Sequence, residues 1–118
     1  MGKKVLIIDD NQRVVGILTE FLSRHGYDTC SASDGAEGFE AVHKEEPDLI
    51  ILDLQLGDEW GSRFFRMFTE VEAFKQIPLI VKSGREDTYV PIERAVAAFL
   101  KPFNLLELLD VINKTIGR

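Results

Sequence analysis

Lys4-Val5-Leu6-Ile7-Ile8-Asp9-Asp10 sets a short apolar run against two adjacent carboxylates, and Leu49-Ile50-Ile51-Leu52-Asp53 repeats the pattern with a third. Both runs are apolar at every position rather than at every second one, which suits strands buried on both faces in a parallel sheet covered by helices. If the two strands run parallel and end at one edge of a sheet, the three acids meet. At about 4 Å and an effective dielectric near 20, each like-charged pair costs on the order of 4 kcal/mol. Such a cluster persists only with a cation bound or some protons retained, so the acids predict a metal.

Strand-like and helix-like segments alternate outward from these two runs. From Asn11 the apolar positions Val14, Val15, Leu18, Phe21 and Leu22 recur at helical spacing, with Asn11 as N-cap and Arg24, His25 and Gly26 as a helix end. A second strand is expected near 28–32. Asp34-Gly35 opens a second helix whose inward face reads Ala36, Phe39 and Val42, ended by Pro47. After the strand over 48–53 and an irregular loop come a helix over about 62–74 carrying Phe64, Phe65 and Phe68, a strand after Pro78, a fifth strand over 97–100 and a closing helix over 104–116. In that helix Leu105, Leu108, Leu109 and Ile112 share a face. The pattern predicts an α/β domain with a five-stranded, doubly wound parallel sheet.

Composition narrows the function. A chain of 118 residues, 45% hydrophobic and 29% charged, suits one globular domain over 1–118 with a single core. No apolar segment approaches the roughly 20 residues that span a bilayer, and no signal-peptide pattern precedes the first strand, so no membrane insertion and a cytoplasmic location are expected. The net charge of -6 with scattered basic residues argues against direct nucleic-acid binding. The single cysteine, Cys30, reads as a buried thiol rather than a reactive one. His25 and His43 sit on amphipathic helices without matching ligands and read as surface or helix-end residues.

In open α/β sheets ligands bind outside the carboxyl ends of the strands, and each unusual polar residue falls there. Asp9 and Asp10 follow the first strand, Asp53 ends the third, Ser83 follows Leu79-Ile80-Val81-Lys82, and Lys101-Pro102 follows the fifth. Taken singly, these are ordinary features: a helix N-cap, a strand-end acid, a loop hydroxyl and a solvated turn. Together they suit phosphoryl transfer, in which cations cancel charge, a carboxylate attacks and donors hold the oxygens.

The set Asp9-Asp10, Asp53, Ser83 and Lys101-Pro102-Phe103 resembles the receiver domain of bacterial two-component response regulators, of the single-domain type, across essentially the whole chain. The resemblance implies a flavodoxin-like sheet of order 2-1-3-4-5. It implies Asp53 as acceptor of a phosphoryl group from a histidine kinase or histidine phosphotransfer protein, in a reaction that switches contacts with a downstream protein target. It further implies Mg²⁺ held by Asp10, Asp53 and the backbone carbonyl of Gln55, with Asp9 acting mainly through water. Lys101 would pair with the phosphoryl group, the Ser83 hydroxyl would bond it, and the Lys101-Pro102 bond would be cis. Such a domain assists its own phosphorylation and dephosphorylation without being an enzyme in the usual sense.

The sequence also departs from that family. The stretch Leu54-Gln55-Leu56-Gly57 lacks the usual Met-Pro pair, Trp60 replaces a small polar residue, and Ala98 stands where an aromatic switch residue is usual, with Phe99 beside it. Between Ser83 and Lys101 the chain is roughly one helical turn short, and Pro91 interrupts what remains. A shortened or irregular fourth helix is therefore expected, together with loss of the family's usual symmetric dimer. A phosphohydrolase of the haloacid dehalogenase type would need an acid at Gln55, and a nucleotide- or flavin-binding domain would find its phosphate repelled by Asp9-Asp10. A scaffold that is never phosphorylated, or a receiver belonging to a larger regulator or hybrid kinase, shares all these residues.

Overall fold

The computed structural model describes residues 2–53, 76–83, 95–100 and 104–117, with backbone alone at 83 and 95–100. The expected helices over 62–74 and after Pro91, the loop with Gln55 and Trp60, and Lys101-Pro102-Phe103 lie outside the described residues. Five strands, β1 (Lys4–Ile8), β2 (Asp28–Ala32), β3 (Leu49–Asp53), β4 (Leu79–Ser83) and β5 (Ala95–Leu100), form one sheet of order β2-β1-β3-β4-β5, and every pairing is parallel. The expected order is the observed one.

The helices start and stop where local chemistry directs. In α1 (Gln12–Arg24) the Asn11 side chain accepts the free backbone N–H groups of Arg13 and Val14, and the chain leaves through Gly26 at φ 89°, a conformation that costs glycine little. In α2 (Gly35–Glu45) Asp34 accepts from the Glu37 N–H, while the Glu37 carboxylate reaches back to the Ser33 N–H and hydroxyl, a reciprocal cap. Those two donors hold the Glu37 carboxyl below its ordinary range. Asn104 caps α3 (Leu105–Ile116) in the same manner as Asn11.

Side chains alternate across each strand, and the sheet therefore has two apolar layers. Leu6, Ile8, Ile50, Leu52, Leu79 and Val81 pack toward Val42 of α2. Val5, Ile7, Leu49, Ile51 and Ile80 pack toward Val15, Leu18 and Leu22 of α1 and Leu108, Leu109 and Ile112 of α3. Fully burying one such Leu or Ile side chain stabilises by roughly 1.5–3 kcal/mol. The Tyr27 hydroxyl donates to Asn113 Oδ1, which ties the turn before β2 to α3.

Three expectations need correction. Ala36 is exposed, and the inward face of α2 runs through Gly35, Gly38 and Val42 with Phe39 at its side. A Cβ on Gly38 would stand 2.7 Å from Ile8 Cδ1, so the helix lies closer to the sheet than a pattern of apolar side chains alone reveals. Second, β5 begins at Ala95 rather than 97: the pairing Leu79↔Ala95 is followed by Ile80↔Ala97, and the one-residue irregularity at Val96 lets the ladder start earlier. Third, Cys30 is half-buried at the margin of the α2-side layer. Burial pushes its thiol up to about 11, which keeps thiolate scarce, in line with an unreactive cysteine.

Candidate metal centre

The alternation that builds the core also builds the site. Asp9 continues the column Val5-Ile7, Asp53 the column Leu49-Ile51, and Lys82 the column that begins at Ile80, all on the α1 and α3 side of the sheet. The Asp9 N–H donates to the Ala32 carbonyl, which extends the β1–β2 ladder past the strand and pins the residue at the sheet edge. Its Oδ1 accepts the Asn11 N–H at 2.9 Å, so the turn into α1 orients the carboxylate. Asp9 and Asp53 are buried and Asp10 is exposed.

One ligand oxygen from each of Asp9, Asp10 and Asp53 lies within 4.8 Å of the others. Oxygens sharing a magnesium ion at 2.0–2.1 Å stand roughly 3–4.2 Å apart, so small side-chain rotations close the set. Three hard oxygen donors, one of them open to solvent, fit a partly hydrated magnesium ion and would suit a thiophilic metal poorly.

Lys82, absent from the residues singled out in the sequence, completes the group. It is 1% exposed, its Nζ forms an ion pair with Asp9 Oδ2, and Asp53 Oδ2 lies 3.8 Å away. The register pair Asp53↔Lys82 places it. A signal did exist in the sequence: Lys82 is the only charged residue in Leu79-Ile80-Val81-Lys82-Ser83, a strand otherwise fit for burial on both faces. Ser83 ends β4 opposite Leu100, the last residue of β5, and Lys101 is next in the chain. Gln55 and Lys101 lie outside the described residues. His25 and His43 are exposed beside Phe21 and Phe39 and take no part in the cluster.

The family described as the response regulator receiver domain matches residues 5–113. Sporulation initiation phosphotransferase F of Bacillus subtilis (strain 168) is 28% identical over 116 residues, which are 97% of this chain and 94% of that protein. The Francisella response regulator 1452 receiver domain aligns with TM-score 0.87 at 24% identity, over 99% of this chain and 98% of that one. A chemotaxis response regulator of Vibrio cholerae aligns with TM-score 0.82 at 24% identity, over 98% and 99%. At such identities the structural likeness bears on the fold.

Proposed function

Because the chain belongs to the response regulator receiver family, we propose that Asp53 is the residue that accepts the phosphoryl group. The observation that carries this reading is the meeting of Asp9, Asp10 and Asp53 within 4.8 Å at the carboxyl edge of the sheet. The donor would be a phosphohistidine on a histidine kinase or histidine phosphotransfer protein. A carboxylate oxygen of Asp53 attacks the phosphorus, the O–P bond forms as the N–P bond breaks, and the electron pair of that bond stays on the ring nitrogen, so that the imidazole, already protonated on its other nitrogen, leaves as the neutral base. The product acyl phosphate changes the charge and shape of this edge, and a downstream protein reads the change.

Magnesium, held by Asp10 and Asp53 with the Gln55 carbonyl, would neutralise the carboxylates and the incoming phosphoryl oxygens. Asp9 is already engaged by Lys82 and the Asn11 N–H, which favours a role for it through water. The family resemblance gives Ser83 and Lys101 the phosphoryl oxygens, Ser83 through its hydroxyl and Lys101 through its ammonium. No helix among the described residues is long and apolar enough to cross a membrane.

The test is exposure of the whole chain to a small acyl phosphate with Mg²⁺, read by intact mass. One phosphoryl group is expected, lost in Asp53→Asn and strongly reduced by a chelator. Undiminished labelling of Asp53→Asn would overturn the assignment, and no labelling of the native chain would leave the unphosphorylated-scaffold reading in its place.

A further inference from the structure

The acid cluster contains a cation supplied by the chain itself. Lys82 is as buried as the apolar residues around it, and its ammonium contacts one cluster carboxylate and stands 3.8 Å from another. The backbone position of Lys82 is set by the sheet. It is fixed by β4, whose Ile80 and Val81 are buried in opposite layers, and by the register pair Asp53↔Lys82. The proposed function assigns Lys82 no role, since the resemblance gives the phosphoryl-binding ammonium to Lys101.

We propose that Lys82 is a resident counter-cation that sets how strongly the site binds magnesium. The inference rests on the reading of the acid cluster as the magnesium site. With Lys82 in place, an arriving divalent ion meets a cluster in which the two buried carboxylates, Asp9 and Asp53, are already partly neutralised by a buried positive charge. Attraction falls and repulsion is added, so Mg²⁺ binds more weakly than the same acids would bind it alone. In exchange, the two buried carboxylates keep a partner when no metal is bound. Lys82 is thus a positioning residue. It holds Asp9 and the empty site together, and it shifts the Mg²⁺ concentration at which Asp53 becomes ready to accept a phosphoryl group.

A purely structural role predicts the opposite sign. Damage to the site weakens metal binding, whereas removal of a competing charge tightens it. Calorimetric titration of the full chain with MgCl₂ should therefore show Lys82→Met, which keeps an unbranched side chain of similar length without the charge, binding at least tenfold more tightly than the native protein. Equal or weaker binding overturns the proposal. No binding by either protein overturns the proposal and the magnesium reading together. Tighter magnesium binding by Lys82→Met, with no phosphorylation of Asp53 in the native chain, would leave the counter-cation standing and remove only the acceptor assignment. If Lys82→Met folds only with Mg²⁺ present, the metal has taken over the missing charge, which supports the proposal. If it folds under neither condition, the native chain decides: the Lys82 ζ-¹⁵N resonance, assigned by through-bond correlation in lysine-labelled protein, should shift as Mg²⁺ saturates the site. A resonance unmoved at saturation overturns the proposal.

Discussion

The two edges of the β1–β3 region each hold a lysine against a carboxylate, and they use the pairing differently. At the amino edge Lys4 Nζ meets Glu45 Oε1 at 2.9 Å, with both side chains about one-third exposed, while the Lys4 N–H donates to Asp48 Oδ2. The ammonium there pairs with a single carboxylate, that of Glu45. At the carboxyl edge Lys82 is buried beside Asp9 and Asp53, with Asp10 as the exposed third member of the acid cluster. Water screens the first pair and can replace either partner, so it acts as a minor clasp between β1 and α2. In the second group Lys82, Asp9 and Asp53 are shielded from that water and only Asp10 is exposed. Burial by the strands fixes the geometry of the second group, whereas water leaves the first free to rearrange.

The largest expected effect tests the burial side of this contrast. Lys82→Ala should cost about 3–5 kcal/mol of unfolding free energy in chelator, because it removes the buried cation that pairs with Asp9 and lies beside Asp53, and added Mg²⁺ should restore part of the loss. Urea unfolding with and without Mg²⁺ measures both quantities. A loss no larger than that of Lys4→Met would erase the distinction between the two edges.

Asp10 sharpens the contrast from within the cluster. It is the exposed member, so Asp10→Asn should leave stability within about 0.5 kcal/mol. If Asp10 is the direct ligand proposed above, the change should nevertheless lower Mg²⁺ affinity by roughly 100-fold or more, since even outer-shell partners are worth 10- to 100-fold. Melting curves in chelator and a magnesium titration separate the two effects, and a large loss of stability with intact metal binding would reverse the roles assigned to Asp10 and Asp9.

The smallest effect belongs to the amino edge. The hydrogen bond to Glu45 raises the Lys4 pKa above its ordinary 10.5, and the same bond lowers that of Glu45 below 4.5. The Lys4 contribution is full below 10.5 and disappears as pH rises through its folded value; that of Glu45 is full above 4.5 and disappears as pH falls through its folded value. Lys4→Met should therefore show a small deficit that is constant between pH 4.5 and 10.5, shrinks outside that window and fades with added salt. A deficit that persists at low pH would mean that packing of the lysine stem, rather than charge, holds β1 to α2.

Much of the molecule was legible in its residues because the signals are local. Apolar runs ending in Asp9 and Asp53, N-caps at Asn11, Asp34 and Asn104, and Gly26 after a basic last turn each act within a few residues of themselves. From these the strands and the order of elements follow by sequence alone, the resemblance added the strand order, and the meeting of three acids was expected on the condition that the two runs lie parallel and end at one edge. What the tertiary structure decided depends on neighbours distant in the chain. Gly38 faces Ile8 instead of leaving that place to Ala36 because contact distance, rather than side-chain hydrophobicity, selects a residue without a Cβ. The early start of β5 follows from an irregularity in its pairing with β4. Lys82 reads as one charge in an apolar strand until the β3–β4 register and the alternation of side chains place its ammonium between Asp9 and Asp53. Electrostatic partnership depends on separation in space, and for residues 9, 53 and 82 only the assembled sheet fixes that separation.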